Sequence, residues 1–203
     1  MAQPPAAAAP AFPPLRAVGQ IRETYLIAEG PEGMYLIDQH AAHERVMYER
    51  ILAARAARQP LSQGLLAPVA LELSPAQAAR VAEHRSTLAV FGFEVEAFGP
   101  GSGRAYLLRA APPQLRADDP ARAFVELVDL MTREDGPADA EGRVAASLAC
   151  HAAVRAGKTL SLEEMRELVQ QLERTAVPNT CPHGRPTLIQ LSAETLAKEF
   201  GRR

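Results

Sequence analysis

The stretch LIDQHAAHER, residues 36–45, decides how the chain is read. Its first half completes an apolar run, MYLID at 34–38, that reads as a strand. Its second half opens a helical pattern lasting to about Ala57, with Val46, Met47, Ile51 and Leu52 spaced as core contacts. His40 and Glu44 are four residues apart, so a helix puts them on one face. That spacing aims two metal ligands at one point, with Asp38 at the strand end just before them. The competing reading is that Asp38 caps the helix and His40 and Glu44 form an ordinary polar pair. His43 is expected to point away from the His40–Glu44 face, as a surface residue. Glu49, five past Glu44, is a weaker candidate.

Two distant stretches carry complementary chemistry. In CPHGRP (181–186), Cys181 and His183 sit two apart in a loop stiffened by proline and glycine. A thiolate and an imidazole so placed suit tetrahedral zinc, and Arg185 suits a carboxylate or a phosphate. The alternative is a turn around a buried cysteine. Ala149-Cys150-His151 lies in a helical stretch, where Cys150 also reads as a small buried residue and His151 as exposed. Spacing cannot prove that these stretches meet. The fold must bring the Cys181 sulfur within side-chain reach of the Glu44 carboxylate, on the order of 10 Å.

Around these stretches the chain reads as α+β. Residues 1–14 have a linker composition rich in alanine and proline. Residues 15–30 read as one strand that pairs with 34–38 across the turn PEG. QPLSQGLLAP (59–68) breaks the first helix, and VALEL (69–73) reads as a strand. Ser74-Pro75 opens a helix to about Phe91, closed by Gly92. Strands follow at 93–98 and 104–111 and a helix at 119–133. EDGPADAEG (134–142) is expected to be a mobile loop. Helices follow at about 143–156 and 161–175, the second capped by Ser161 with Glu164. A strand TLIQL and a short helix capped by Ser192 end the chain. The middle, about 69–135, has a β-α-β-β-α pattern of its own, as a small domain inserted into a larger one would.

The chain has 203 residues, 47% apolar and 23% charged, a globular balance. No apolar run approaches a bilayer span, and the N-terminus lacks the basic region of a secretory signal; a cytoplasmic location is expected. The two cysteines are then thiols or metal ligands rather than a disulfide. A net charge of −2 argues against a protein held on nucleic acid by phosphate contacts alone, so DNA binding by the isolated chain should be weak.

The motifs together resemble those of MutL-family mismatch-repair proteins. DQHAAHERVMYE (38–49) fits the family's endonuclease pattern D-Q-H-A-x-x-E-x-x-x-x-E. ACHAAVRAG (149–157) resembles its second motif, CPHGRP its third, and Phe200-Gly201-Arg202 the motif at the extreme C-terminus. QGLLAP (63–68) resembles the segment by which bacterial members bind the replicative sliding clamp, here through Gln63, Leu65, Leu66 and Pro68. The alternative for that segment is an ordinary loop with its leucines tucked into the core.

The resemblance implies a dimerisation and endonuclease subdomain at 15–68 and 143–203. A smaller α/β regulatory subdomain at 69–142 would be inserted in its middle. The 1–14 linker would lead from an ATP-using domain upstream. The implied activity is metal-dependent nicking of one strand of duplex DNA by a homodimer. His40, Glu44, Cys150, Cys181 and His183 would hold Zn2+ or Mn2+, and Asp38, binding the catalytic ion or orienting the attacking water, would be the residue on which incision most depends. Glu49 is a possible ligand, and Arg185 and Arg202 would contact phosphate or support the site. The implied partners are the sliding clamp and a MutS-type mismatch-recognition protein, with no membrane. Two departures stand out. His151 occupies a position where arginine is common, and Arg203 follows the terminal motif, whose tail can approach the neighbouring subunit's site. The rival reading is a non-catalytic, zinc-stabilised dimerisation or interaction module.

Overall fold

The computed structural model describes residues 12–57, 62–99, 103–115, 119–131, 137–153 and 158–202. Most of the linker, part of the 134–142 segment and the end of the expected 143–156 helix lie outside these residues. Strands β1 (Arg16–Ile21), β2 (Tyr25–Gly30) and β3 (Gly33–Asp38) lead directly into helix α1 (Gln39–Ala56). Strand β4 (Gln63–Glu72) is followed by α2 (Pro75–Glu83), α3 (Arg85–Val90), β5 (Glu94–Ala97), β6 (Ala105–Ala111) and α4 (Pro120–Leu130). Helices α5 (Ala140–Ala152) and α6 (Leu162–Glu173), strand β7 (Leu188–Ser192) and helix α7 (Ala193–Glu199) complete the order. The mixture is α+β, with two antiparallel sheets ordered β1-β2-β3-β7 and β4-β6-β5. None of the described helices is long and apolar enough to cross a membrane.

Several boundaries differ from the sequence reading, each for a local reason. Residues 15–30 are two strands, because Arg22 and Glu23 both take left-handed backbone (φ 51° and 53°) and Thr24 N–H closes a tight turn on the Ile21 carbonyl at 3.1 Å. The helix expected from Pro75 to Phe91 breaks at His84, which ends α2 and starts α3. Helix α5 begins at Ala140 rather than 143, because Asp139 accepts the Gly142 N–H and caps it. The capping box of Ser161 with Glu164 forms as expected, and the expected cap at Ser74 is completed into a box by Gln77.

Helix α1 is the beam on which the rest is hung. Ala42 and Val46 pack with Leu26, Ile37 and the α6 residues Leu168 and Leu172 under the first sheet. One turn and more further on, Ile51 belongs to a second cluster with Leu71, Phe91, Phe124, Val144 and Leu148. Helix α5 lies beside α1 in that cluster, which brings its C-terminal turn alongside the first turns of α1.

Strand β4 has an irregularity at its start. Gln63 and Gly64 pair with Ala111 and Ala110, but the next pairing is Val69 with Leu108. Residues 65–68 therefore oppose Arg109 alone, a bulge large enough to throw the chain outward.

Candidate metal centre

Asp38 ends β3 and caps α1, its Oδ1 accepting the Ala41 N–H at 2.9 Å. The helix starts on the next residue, so His40 and Glu44 lie on its first turns, over the end of the first sheet. Glu44 is buried with 1% of its side chain exposed. His40 Nε2 lies 3.2 Å from its Oε1, and His183 Nδ1 lies 3.5 Å from its Oε2. Arg185 donates to Oε2 at 3.0 Å.

The CPHGRP loop reaches α1 by a defined route. Cys181 N–H donates to the Arg185 carbonyl at 2.8 Å, and Gly184 N–H donates back to the Cys181 carbonyl at 3.0 Å. Gly184 has φ +80°, a conformation that favours glycine. The turn leaves Cys181 buried and aims its sulfur inward with His183. Arg45, one residue beyond Glu44, donates from Nε to the Thr180 carbonyl at 2.6 Å and so ties the loop to the helix.

Two groups of donor atoms result. His40, Glu44 and Cys150 offer ligand atoms that all lie within 4.8 Å of one another, and so do Glu44, Cys181 and His183. The three distant stretches thus meet, and Glu44 belongs to both groups. Ligand atoms around one tetrahedral ion stand about 3.3–3.8 Å apart, so small side-chain movements would suffice. The polar inventory fits such a group: Glu44 Oε1 and His183 Nδ1 are buried without an aligned hydrogen bond, an arrangement that is costly unless a further partner is supplied. Cysteine, histidine and carboxylate together are the donors of a borderline-soft divalent ion.

The electrostatics follow from this crowding. Burial alone would raise the Glu44 carboxyl, but the close polar contacts and charge of His183 and His40 hold it well below the usual carboxylate range. His183 is pushed up to about 9, first by the Cys181 thiol and then by Glu44. Burial would raise Cys181 as well; its contacts with His183 and Arg185 outweigh this and lower it.

Not every candidate joins the two groups. Asp38 is outside both, engaged as the cap. Glu49 is outside both, and its carboxylate accepts the backbone N–H groups of Ala176 at 2.7 Å and Val177 at 3.3 Å. Arg202 is exposed after α7, its N–H on the Ala197 carbonyl, and belongs to neither group. His43 is not the surface residue that its spacing suggested. It is half-buried, and its pKa is lowered to about 4 by burial first and then by Arg50, His40 and Lys158. His151 is likewise half-buried rather than exposed.

Sequence reasoning missed the residues that hold the site in place. Arg45 is one. Gln39 is another: it is fully buried, and its amide meets Gln20 at 2.6 Å and the Lys158 carbonyl at 3.3 Å. Gln20 also accepts the Leu160 N–H at 3.0 Å. This network pins the chain after α5 onto β1 and α1. An uncharged amide between Asp38 and His40, at the point where the strand meets the helix, was the available signal.

The QGLLAP segment is the bulged start of β4. Leu66 is fully exposed, whereas Leu65 packs on the second core. Gln63 and Pro68 are exposed. Beside them runs an open groove of about 480 Å3 lined by Leu65, Leu66, Ala111, Pro113 and Leu115.

Comparison with known proteins agrees in family. The MutL C terminal dimerisation domain matches residues 18–160. The DNA mismatch repair protein MutL of Koribacter versatilis is 42% identical over 201 residues, covering 98% of this chain and 30% of the relative. That of Methylocella silvestris is 40% identical over 205 residues, covering 97% and 33%. That of Symbiobacterium thermophilum is 42% identical over 195 residues, covering 93% and 30%. The chain thus spans about a third of the length of these curated relatives.

Proposed function

Because this chain belongs to the MutL C-terminal dimerisation domain family of DNA mismatch-repair proteins, we propose that it is the part that nicks one strand of duplex DNA, in a metal-dependent reaction, as a homodimer. The observation that carries the reading is the meeting of His40, Glu44, Cys150, Cys181 and His183 around one buried carboxylate. His40, Glu44 and Cys150 would hold one divalent ion, and Glu44, Cys181 and His183 a second. Thiolate and imidazole favour Zn2+, with Mn2+ suited to the oxygen-richer chemistry. Such ions supply a water of lowered pKa and a positive charge beside the phosphoryl oxygens.

The chain's own residues do the rest. Glu44 neutralises charge in both groups and couples them. Cys181 and His183 would both have to be deprotonated to ligate, so an ion held there would displace protons. Asp38 keeps its helix start fixed through Oδ1, which leaves Oδ2 to orient the attacking water or bind the catalytic ion. Arg185, more than half exposed above Glu44, can meet a phosphate oxygen. Asp38→Asn should abolish Mn2+-stimulated nicking of supercoiled plasmid while zinc content and thermal unfolding stay as in the unaltered protein. Nicking at the unaltered rate by that variant would overturn the assignment. Chelation that unfolds the protein, with no nicking under any metal, would favour the non-catalytic zinc module.

Dimerisation is assigned to the outer face of the first sheet. Ile27, Leu36 and Ile189 are paired across β2, β3 and β7, with Tyr25 two residues along the same face. Tyr25 and Ile189 are exposed, and a second copy of this face is the occupant that the family's description supports. Ile189→Asp should shift sedimentation from dimer to monomer; an unchanged dimer sinks the assignment. The exposed bulge Gln63–Pro68 is assigned to the sliding clamp, an extended apolar segment for a groove on a partner. The ATP-using domain and the mismatch-recognition protein are the remaining proposed partners.

A further inference from the structure

We propose that the cleft between α1, the last turn of α5 and the 112–114 connector holds a DNA backbone phosphate near the one to be cut. The inference rests on the nuclease reading and says where its substrate lies. The cleft has a volume of about 370 Å3 and is lined by His43, Met47, Arg50, Pro113, Gln114 and Ala152. Its walls come from the two helices that carry the first donor group. Arg50 is six residues beyond Glu44, about 9 Å along the axis, which is two to three nucleotide steps at about 3.4 Å each. Ala152 is two residues beyond Cys150.

Three observations give this cleft its chemistry. Arg50 is exposed and makes no hydrogen bond or ion pair among the described residues, whereas Arg45, Arg55, Arg109, Arg122 and Arg185 are each engaged by a carboxylate. No carboxylate lines the cleft. Gln114 lines the cleft as well, and its side-chain NH2 is a donor that a phosphate oxygen can accept. A guanidinium and an amide donor in one cleft, with no carboxylate in its lining, suit a phosphate.

A second cleft on the other side of His43 and Arg50 fits less well. It has a volume of about 220 Å3 and includes Lys158, but Glu164 and Glu167 line it too. The Lys158 ammonium lies 3.8 Å from Glu164. A phosphate there would meet two carboxylates, so the connector side is assigned.

The test uses the whole chain and a duplex oligonucleotide of roughly 30 base pairs, with binding followed by anisotropy at several salt concentrations without divalent metal. Plasmid nicking with Mn2+ is measured alongside. Arg50→Glu should weaken binding roughly tenfold and reduce the slope of log affinity against log salt by about one. Arg50→Lys should keep most of the affinity, and Gln114→Leu should lose about threefold. Arg104→Glu, at the far end of β6, should bind as the unaltered chain does. If Arg50→Glu binds normally, or Arg104→Glu loses as much, the subsite is refuted. If the unaltered protein never nicks but Arg50→Glu still loses binding, the nuclease reading fails and the phosphate site stands. Should Arg50→Glu not fold, Arg50→Ala carries the same comparison.

Discussion

The CPHGRP loop and the QGLLAP bulge are both short interruptions of regular structure, but they face opposite ways. The first turns inward: its sulfur and imidazole are buried against a buried carboxylate, and Arg45 and Gly184 hold the backbone in place. The second turns outward. Four residues oppose one across the ladder, and Leu66 is left fully in solvent. Cys181 is buried and Arg185 reaches the Glu44 carboxylate, so the placement of the first is explained by the fold. In the second, Leu65 still packs on the core, while Leu66 has no internal use.

That contrast can be broken by substitution. Removing Glu44 should have the largest effect on stability. Glu44→Ala leaves His183 and Arg185 facing each other without their shared anion, a loss on the order of 3–5 kcal/mol by comparison with other broken buried pairs. Denaturant unfolding in the presence of a chelator measures it. A loss below about 1 kcal/mol would mean that the cluster is not held by its carboxylate.

The next effect is on metal affinity. His183 carries its proton up to about pH 9, and a ligating imidazole must give that proton up. Zinc affinity should therefore fall at least about tenfold per pH unit from pH 9 to pH 7, with at least about one proton released per ion at neutral pH. Calorimetric titration in buffers of different ionisation enthalpy reads both. A flat profile would place the ion away from His183.

Gly184→Ala should cost about 1–2 kcal/mol, since its φ of +80° strains any side chain although the space beside it is open. The smallest effect is expected in the bulge. Leu66→Ala should leave the unfolding midpoint unchanged within about 0.5 kcal/mol. Gln63→Ala with Pro68→Ala should spare metal binding yet remove clamp-stimulated incision. If Leu66→Ala destabilises the chain by several kcal/mol, the bulge belongs to the core after all.

What the sequence made legible was local. The four-residue step from His40 to Glu44, the capping serines and the turn around Gly184 depend on near neighbours, and they read correctly as elements. What it hid depends on backbone conformations without a residue signature or on distant contacts. Arg22 and Glu23 adopt left-handed backbone with neither glycine nor asparagine to announce it. His84 divides a helix in a stretch with no proline or glycine. Asp139 caps α5 from inside a segment whose polarity suggested only a loop. Arg45 and Gln39 matter for what they touch across more than a hundred residues, and no periodicity reports that. The candidate donors were visible one by one; their shared dependence on Glu44 was not.

Helix α1 is pinned in two separate clusters, at Ala42 and Val46 on one side and at Ile51 on the other. A rod clamped at both ends cannot roll. One residue added or removed between Glu44 and Ile51 would turn the first part by about 100° relative to the second, swinging the carboxylate away from the sulfur it faces. This segment can therefore exchange its letters far more freely than it can change its length, and variation in the family should obey that asymmetry.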